Sequence, residues 1–189
     1  MKEEQLYRRL NSGRLSKTEI DELVKELMDY PNLTEMLLQE VFRQDKEHDF
    51  NASWVFDHLM RKKLKYLLPH FEFFSKELKN LVSESCLRPM AHTCELITIA
   101  YFKGEKEFVN VITNQQLERL VDVCFDWFIG NHKVATKVFA MSSLFELGKR
   151  FDWIYPELKI ILETTIGNST AGYKSRGKKT LEKLIAKGI

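Results

Sequence analysis

The fold is decided by residues 134–151, VATKVFAMSSLFELGKRF, in which apolar residues recur at helical spacing on two faces. One stripe consists of Val134, Val138, Met141 and Phe145, and the other of Ala140, Leu144, Leu147 and Phe151. An isolated helix pair buries one stripe of each member, so a helix with two stripes needs a neighbour on either side. This stretch therefore predicts antiparallel helix pairs that stack on one another, with Leu144 and Phe145 buried between repeats.

Helical signals continue on both sides of this stretch. Ser16 with Glu19, and Thr113 with Gln116, match capping boxes, in which two side chains satisfy N–H groups of the first turn. Alternate helices begin near residues 16, 50, 87, 132 and 170, a spacing of about 34 to 45 residues that is typical of helix-pair repeats. Three further helices are predicted to have side-chain caps, at Asn32, Asn51 and Thr170.

Chain breakers support the same division. Pro31 ends one helix, Pro69 lies near the end of another, and Gly104 stops a helix that runs from about Leu87 to Phe102. Pro156 fits the first turn of a helix, where its missing N–H costs nothing. Residues 103–112 resemble a short strand, but no other segment offers a pairing strand, so a loop or an irregular helical turn is expected there.

The last helix differs from the others because cations dominate it. They are Lys174, Arg176, Lys178, Lys179, Lys183 and Lys187, and Leu181, Leu184 and Ile185 are expected on one apolar side. A terminal helix with one apolar face and one wet face suits a capping element. The predicted fold class is all-α, an α-α superhelix of about four helix pairs plus a C-terminal capping helix, in a single domain over residues 1–189.

Several segments resemble repeats of the HEAT type. Residues 137–147, KVFAMSSLFEL, look like the first helix of such a repeat, as do residues 173–181, YKSRGKKTL. Together with residues 153–158, WIYPEL, they make the C-terminal third similar to small bacterial HEAT-like proteins of unassigned activity. The resemblance is clear over residues 85–187 and weaker before them, and it implies an armadillo-type, HEAT-like solenoid.

Some proteins of that group carry an adenylosuccinate lyase label, which these residues do not support. Such lyases use a flexible loop with a Ser-Ser-x-Met-Pro pattern, whereas Ser142 and Ser143 lie inside a predicted helix with no proline beside them. No Gly-rich phosphate loop or His-Glu-x-x-His motif occurs either. We therefore expect no enzyme activity and no cofactor.

Composition restricts the compartment and the class of partner. The net charge of +2 gives no overall polyelectrolyte character. The three cysteines, Cys86, Cys94 and Cys124, are too few for a disulfide scaffold and suit a reducing compartment. No stretch approaches the roughly 18 apolar residues of a membrane span, and the first residues, MKEEQ, lack the apolar core of a signal peptide. A cytoplasmic monomer without a membrane partner is expected.

Metal and catalytic sites find little support. The five histidines, among them His48 and His92, are scattered, and His92 with Cys86 and Cys94 has no recognised metal-ligand spacing. Trp54 and Asp57 are three residues apart, and we expect a core tryptophan with a surface aspartate rather than a pair that acts on an excised base.

Two charged surfaces are candidates for partner binding. Glu118, Asp122 and Asp126 recur every fourth residue of one helix and form either an acidic stripe for a basic partner or a plain solvated face. Lys174, Arg176, Lys178 and Lys179 form a basic surface on the last helix.

The functional prediction is a non-catalytic helical-repeat module that binds a protein or peptide on its concave surface. The alternative is a nucleic-acid-binding HEAT-like protein related to alkylpurine-type DNA glycosylases, which hold duplex DNA in a basic channel.

Overall fold

The computed structural model describes residues 1–44 and 49–189, and within these ranges it contains helices, turns and loops but no strand. The chain forms two compact units, Met1–Thr93 and Cys94–Ile189, which are described in turn. The prediction of a single domain over residues 1–189 stays a prediction. No helix in the described ranges is both long and apolar enough to span a bilayer.

The helices follow one another through short connections. They are α1 (Glu3–Leu10), α2 (Lys17–Leu27), α3 (Thr34–Phe42), α4 (Asp49–Lys63), α5 (Phe71–Glu77), α6 (Glu84–Phe102), α7 (Lys106–Val109), α8 (Asn114–Ile129), α9 (Val134–Leu147), α10 (Ile154–Thr165) and α11 (Ala171–Ile185). Three 3₁₀ turns lie between them, at Pro31–Leu33, Leu64–His70 and Leu78–Asn80.

Both predicted capping boxes are confirmed. The Ser16 hydroxyl accepts from the Glu19 amide at 3.3 Å, and the Glu19 carboxylate accepts from the Ser16 amide at 2.8 Å. These bonds, with that of the Ser16 side chain first, lower the pKa of Glu19. Thr113 and Gln116 form the same reciprocal pair at the start of α8.

The other predicted caps are wrong, for two different reasons. Asn32 falls inside the 3₁₀ turn that begins at Pro31, so α3 starts one residue after Leu33 without a side-chain cap. Asn51 lies inside α4, where its side chain is buried and bonds to a distant loop. Thr170 does occupy the N-cap position of α11, with extended backbone angles but no side-chain capping bond. Helix α1 was not predicted.

Helix α6 contains Pro89, which removes one N–H from the middle of the helix. In a regular helix that N–H would donate to the carbonyl of Ser85. The Ser53 hydroxyl of α4 lies 3.3 Å from that carbonyl and serves as a donor to it. The proline is thus accommodated by a side chain from the neighbouring helix of the same unit.

Helix α9 is the centre of the unit Cys94–Ile189 and packs against α8, α10 and α11. Its two apolar stripes have the predicted burial: Leu144 is 0% exposed and Phe145 is 9% exposed. The short helix α7 confirms the irregular helical turn expected within residues 103–112, and Gly104 before it has a φ of 81°. Pro156 lies in the first turn of α10, as predicted.

The apolar side of α11 was only partly predicted. Its buried residues are Tyr173, Gly177, Thr180 and Leu184. Leu184 was expected there, but Ile185 is 59% exposed. The buried face follows helical spacing through small and aromatic residues, which a search for aliphatic side chains alone overlooks.

Candidate functional site

Three aromatic side chains of α4 form a continuous row, which we call the aromatic ladder: Phe50, Trp54 and His58. Because they are spaced four residues apart, they lie on one side of the helix. The ring centroids of Phe50 and Trp54 are 5.7 Å apart, and those of Trp54 and His58 are 6.1 Å apart. All three side chains are half-buried, so the ladder forms part of the surface of the unit Met1–Thr93.

Two arginines lie over the ladder. The guanidinium carbon of Arg14 is 4.2 Å from the centroid of Phe50, and that of Arg88 is 4.9 Å from the centroid of Trp54. Neither guanidinium pairs with a carboxylate in the described part of the chain. A cation over a ring face is attracted by the negative face of the π-system, and the contact leaves the in-plane N–H groups of the arginine available to an acceptor.

Asn51 fixes the loop that carries Arg14. Its Nδ2 donates to the carbonyls of Leu10 and Gly13 at 2.8 and 2.7 Å, and its Oδ1 accepts from the amide of Leu15 at 2.9 Å. The bonds to Gly13 and Leu15 hold the backbone on both sides of Arg14. The residue next to Phe50 in α4 therefore positions the arginine that covers Phe50.

A cavity of about 410 Å³ adjoins the ladder. Leu15 and Ile20 contribute apolar wall, and Arg14 and Lys17 contribute positive charge. His58 Nδ1 lies 3.1 Å from Asp21 Oδ1. This volume is within the range of roughly 300–1,000 Å³ found for ligand pockets, which are mostly apolar with a few convergent polar groups.

Asp57 does not belong to this surface, and the expectation of a core Trp54 with a surface Asp57 is wrong. Asp57 is 2% exposed, whereas Trp54 is half-buried. One carboxylate oxygen of Asp57 lies 2.5 Å from Arg61 Nη2, and the other lies 2.5 Å from His92 Nδ1. A buried carboxylate requires such partners, so Asp57 connects α4 to α6 within the unit Met1–Thr93.

The cations predicted on the last helix have unequal surroundings. Arg176 Nη1 lies 3.3 Å from Glu95 Oε1 and 2.8 Å from Ser142 Oγ, so this residue makes internal contacts. Lys174 is half-buried, and Lys178 and Lys179 are exposed. The structure brings Arg176 and Lys179 together on the wall of one cavity, which Lys174 and Lys178 do not line.

The predicted acidic stripe lies on the outer side of α8. Glu118, Asp122 and Asp126 are all exposed, while the opposite side of the helix is buried through Leu117, Val121, Cys124 and Phe128. That it receives a basic partner stays a prediction.

The cysteines are free and buried. Burial, followed by a hydrogen bond with Cys124, raises the pKa of the Cys94 thiol well above its ordinary value. A thiol of this kind is a poor nucleophile, because the thiolate is the reactive form. Among the described residues no group of three or more potential ligands is placed to hold a metal ion. His48 lies outside the described residues.

Arg14, Phe50 and Arg88 were missed at the sequence level. The four-residue spacing of Phe50, Trp54 and His58 is visible in the sequence and indicates a shared helix side. No local pattern connects Arg14 or Arg88 to those rings, since both reach the ladder only through tertiary packing.

Comparison with known protein families identifies a HEAT repeat domain over residues 7–184. Searches of curated proteins and of solved structures give no significant match. With the all-helical structure, the family match confirms the predicted fold class, an α-α superhelix of HEAT-like repeats. The chain belongs to the HEAT repeat family.

Proposed function

We propose that this protein is a non-catalytic interaction module that binds a protein or peptide partner at the aromatic ladder. The observation that carries the proposal is the placement of Arg14 and Arg88 over Phe50 and Trp54, beside a cavity with apolar walls. Aromatic residues and arginine are the side chains that most often dominate the binding energy of protein interfaces.

The chemistry of the site favours a segment that combines an apolar side chain with carboxylates. The cavity supplies apolar contact through Leu15 and Ile20, and the cations Arg14, Lys17 and Arg88 surround the ladder. Arginine binds carboxylates through parallel N–H···O bonds. The proposed partner is therefore an acidic peptide segment with at least one large apolar residue.

A second candidate is single-stranded nucleic acid. The ladder continues four residues beyond His58 into Lys62, and Lys65 follows; both are exposed. Aromatic rings that alternate with cations are typical of single-strand binding surfaces. The arginines over Phe50 and Trp54 weigh against this function, because a base would have to displace them before it could stack on those rings.

Fluorescence anisotropy with three labelled probes separates the two functions. The probes are an acidic peptide, EELDFEE, its charge-reversed counterpart, KKLKFKK, and an oligothymidylate of about 15 nucleotides. We expect the acidic peptide to bind and the other two to bind at least about tenfold more weakly, since a hydrogen bond to a charged group contributes about 1.5–3 kcal/mol.

The double variant Arg14→Glu/Arg88→Glu should weaken binding of the acidic peptide by at least about tenfold. Lys79→Glu is the control for a charge change, because Lys79 is exposed and lies after α5, outside the ladder and its cavity. Equal affinity for the acidic and basic peptides would contradict the proposal. Tight binding of the oligothymidylate that is lost in Lys62→Glu would establish the second candidate instead.

We further propose that the protein acts in the cytoplasm as a monomer. Three free, buried cysteines suit a reducing compartment. The absence of lyase activity is also proposed, on the contacts of the two serines nearest to the lyase pattern. Ser142 accepts from Arg176, and Ser143 is buried with its hydroxyl bonded to the Phe139 carbonyl inside α9.

A further inference from the structure

A second cavity, of about 290 Å³, lies within the unit Cys94–Ile189 among α6, α9 and α11. Helix α11 supplies three cations to it, Arg176, Lys179 and Lys183, and the other two helices supply Glu95 and Glu146. Two of these cations were singled out from the sequence without any indication that they share a cavity.

The charges of this cavity are not balanced. Glu95 is 7% exposed and pairs with Arg176, and Glu146 pairs with Lys149 at 2.5 Å. Lys179 and Lys183 have no carboxylate partner in the described part of the chain. They are four residues apart on α11, so they project from the same side of the helix and leave two positive charges uncompensated.

Hydrogen-bond donors accompany these charges. Arg176 uses Nη1 for both Glu95 and Ser142, so its Nη2 and Nε groups have no acceptor among the described residues. Ser142 accepts from Arg176, which leaves its own O–H to donate. The remaining wall includes Ile99 and Phe145, with the Lys183 ammonium 5.2 Å above the Phe145 ring.

We propose that this cavity binds a small phosphomonoester. The phosphate dianion lies between Lys179 and Lys183 and accepts from Arg176 and Ser142, while the organic part contacts Ile99 and Phe145. A phosphate monoester carries about −1.5 to −2 charges at neutral pH and three strong acceptor oxygens, which matches two unpaired cations and several open donors. The site lies in the other unit from the aromatic ladder, so it is independent of the proposed peptide binding.

The size of the cavity favours a small ligand over a polymer. Its volume is at the lower end of the range of roughly 300–1,000 Å³ for ligand sites. Recognition of a nucleic-acid backbone uses a row of surface cations that follows successive phosphates. Here the cations converge on a single cavity that also has an apolar wall.

The test is titration calorimetry of the full chain with phenyl phosphate, phenyl sulfate and inorganic phosphate. We expect phenyl phosphate to bind most tightly. Phenyl sulfate has the same shape with one charge less, and inorganic phosphate lacks the apolar part; each should bind at least about tenfold more weakly, a difference of about 1.4 kcal/mol. Equal affinity for phenyl phosphate and phenyl sulfate would overturn the proposal, and so would no detectable binding of phenyl phosphate at millimolar concentration.

A matched pair of variants locates the site. Lys179→Gln/Lys183→Gln should weaken phenyl phosphate binding at least about tenfold, whereas Lys174→Gln/Lys178→Gln removes the same charge at the same spacing on the same helix and should leave it unchanged. Equal losses in both variants would show a general charge effect and overturn the proposal. If the first variant fails to fold, by circular dichroism, the three-ligand comparison on the unaltered protein still decides the matter.

The pH dependence gives an independent readout. The second pKa of a phosphate monoester is about 6, so affinity for phenyl phosphate should fall as the pH is lowered through 6 and the dianion becomes a monoanion. The affinity for phenyl sulfate should not follow that curve. Displacement of phenyl phosphate by duplex DNA at physiological salt would replace the small-ligand proposal with a surface for backbone phosphates.

Discussion

The carboxamide nitrogen of Asn51 donates a hydrogen bond to the carbonyl oxygen of Gly13 at 2.7 Å. This bond joins the interior of α4 to the loop between α1 and α2, and Gly13 adopts a φ of 107° that favours glycine. Asn51→Ala removes three hydrogen bonds to backbone groups at once. We expect it to lower the free energy of unfolding by about 2–5 kcal/mol, since each buried group left without a partner costs about 1–3 kcal/mol.

Urea unfolding followed by circular dichroism measures this loss. Asn32→Ala is the control, because Asn32 is exposed and caps no helix; it should change stability by less than about 0.5 kcal/mol. Similar effects of the two substitutions would contradict the role given to Asn51.

The second prediction concerns the centre of the unit Cys94–Ile189. Leu144→Ala should cost about 2–5 kcal/mol, because it removes a fully buried side chain and leaves a cavity. Ile185→Ala, at an exposed position of α11, should cost less than about 1 kcal/mol. Chemical denaturation of both variants tests this; a small loss for Leu144→Ala would mean that α9 lies at the periphery.

The third prediction concerns the pH dependence of the first capping box. The pKa of Glu19 is lowered in the folded protein, so the carboxylate form contributes stability that is complete above the ordinary value of 4.5. That contribution disappears as the pH falls through the lowered pKa. Glu19→Gln should therefore be less stable than the unaltered protein at pH 7, and the difference should close in acid. Ser16→Ala removes the main cause of the shift and should abolish most of this dependence; a difference that grows in acid would contradict the assignment.

The fourth prediction concerns duplex DNA and the last helix. Arg176 contacts Glu95 and Ser142, and Lys183 and Lys187 lie over the rings of Phe145 and Tyr155. Because these cations have internal contacts, we expect only weak binding of duplex DNA, with a dissociation constant of about 10⁻⁶ M or higher at physiological salt. Lys178→Ala/Lys179→Ala should change it little. Submicromolar binding whose salt dependence falls by about one per lost contact in that variant would contradict this.

The fifth prediction concerns catalysis. Protein incubated with adenylosuccinate should release no fumarate above background, because Ser142 and Ser143 are held inside α9 and not on a flexible loop. A coupled fumarate assay measures this. Turnover that copurifies with the protein and is lost in His92→Asn would show that the chain is an enzyme.

Repeating patterns were sufficient to predict most of the helices, whereas single polar side chains were not. The two stripes of α9 and the capping boxes at Ser16 and Thr113 depend on residues close in sequence. Asn51 has the composition of a cap, but its buried contacts with a loop about 40 residues earlier outweigh that local preference. For the same reason the burial of Asp57 was not foreseen, since Arg61 is a local partner but His92 lies on another helix.

The contact of the Ser53 hydroxyl with the Ser85 carbonyl makes residue 53 and residue 89 evolutionarily interdependent. A change of Pro89 to a residue with an N–H would let the helix satisfy that carbonyl itself, and Ser53 would then be free to change to alanine. A change of Ser53 alone would leave the carbonyl without this donor while the proline remains. The two positions should therefore covary among relatives, with proline at 89 found together with a hydroxyl or another donor at 53. Reaching the proline-free pair by single steps is easier when position 89 changes first.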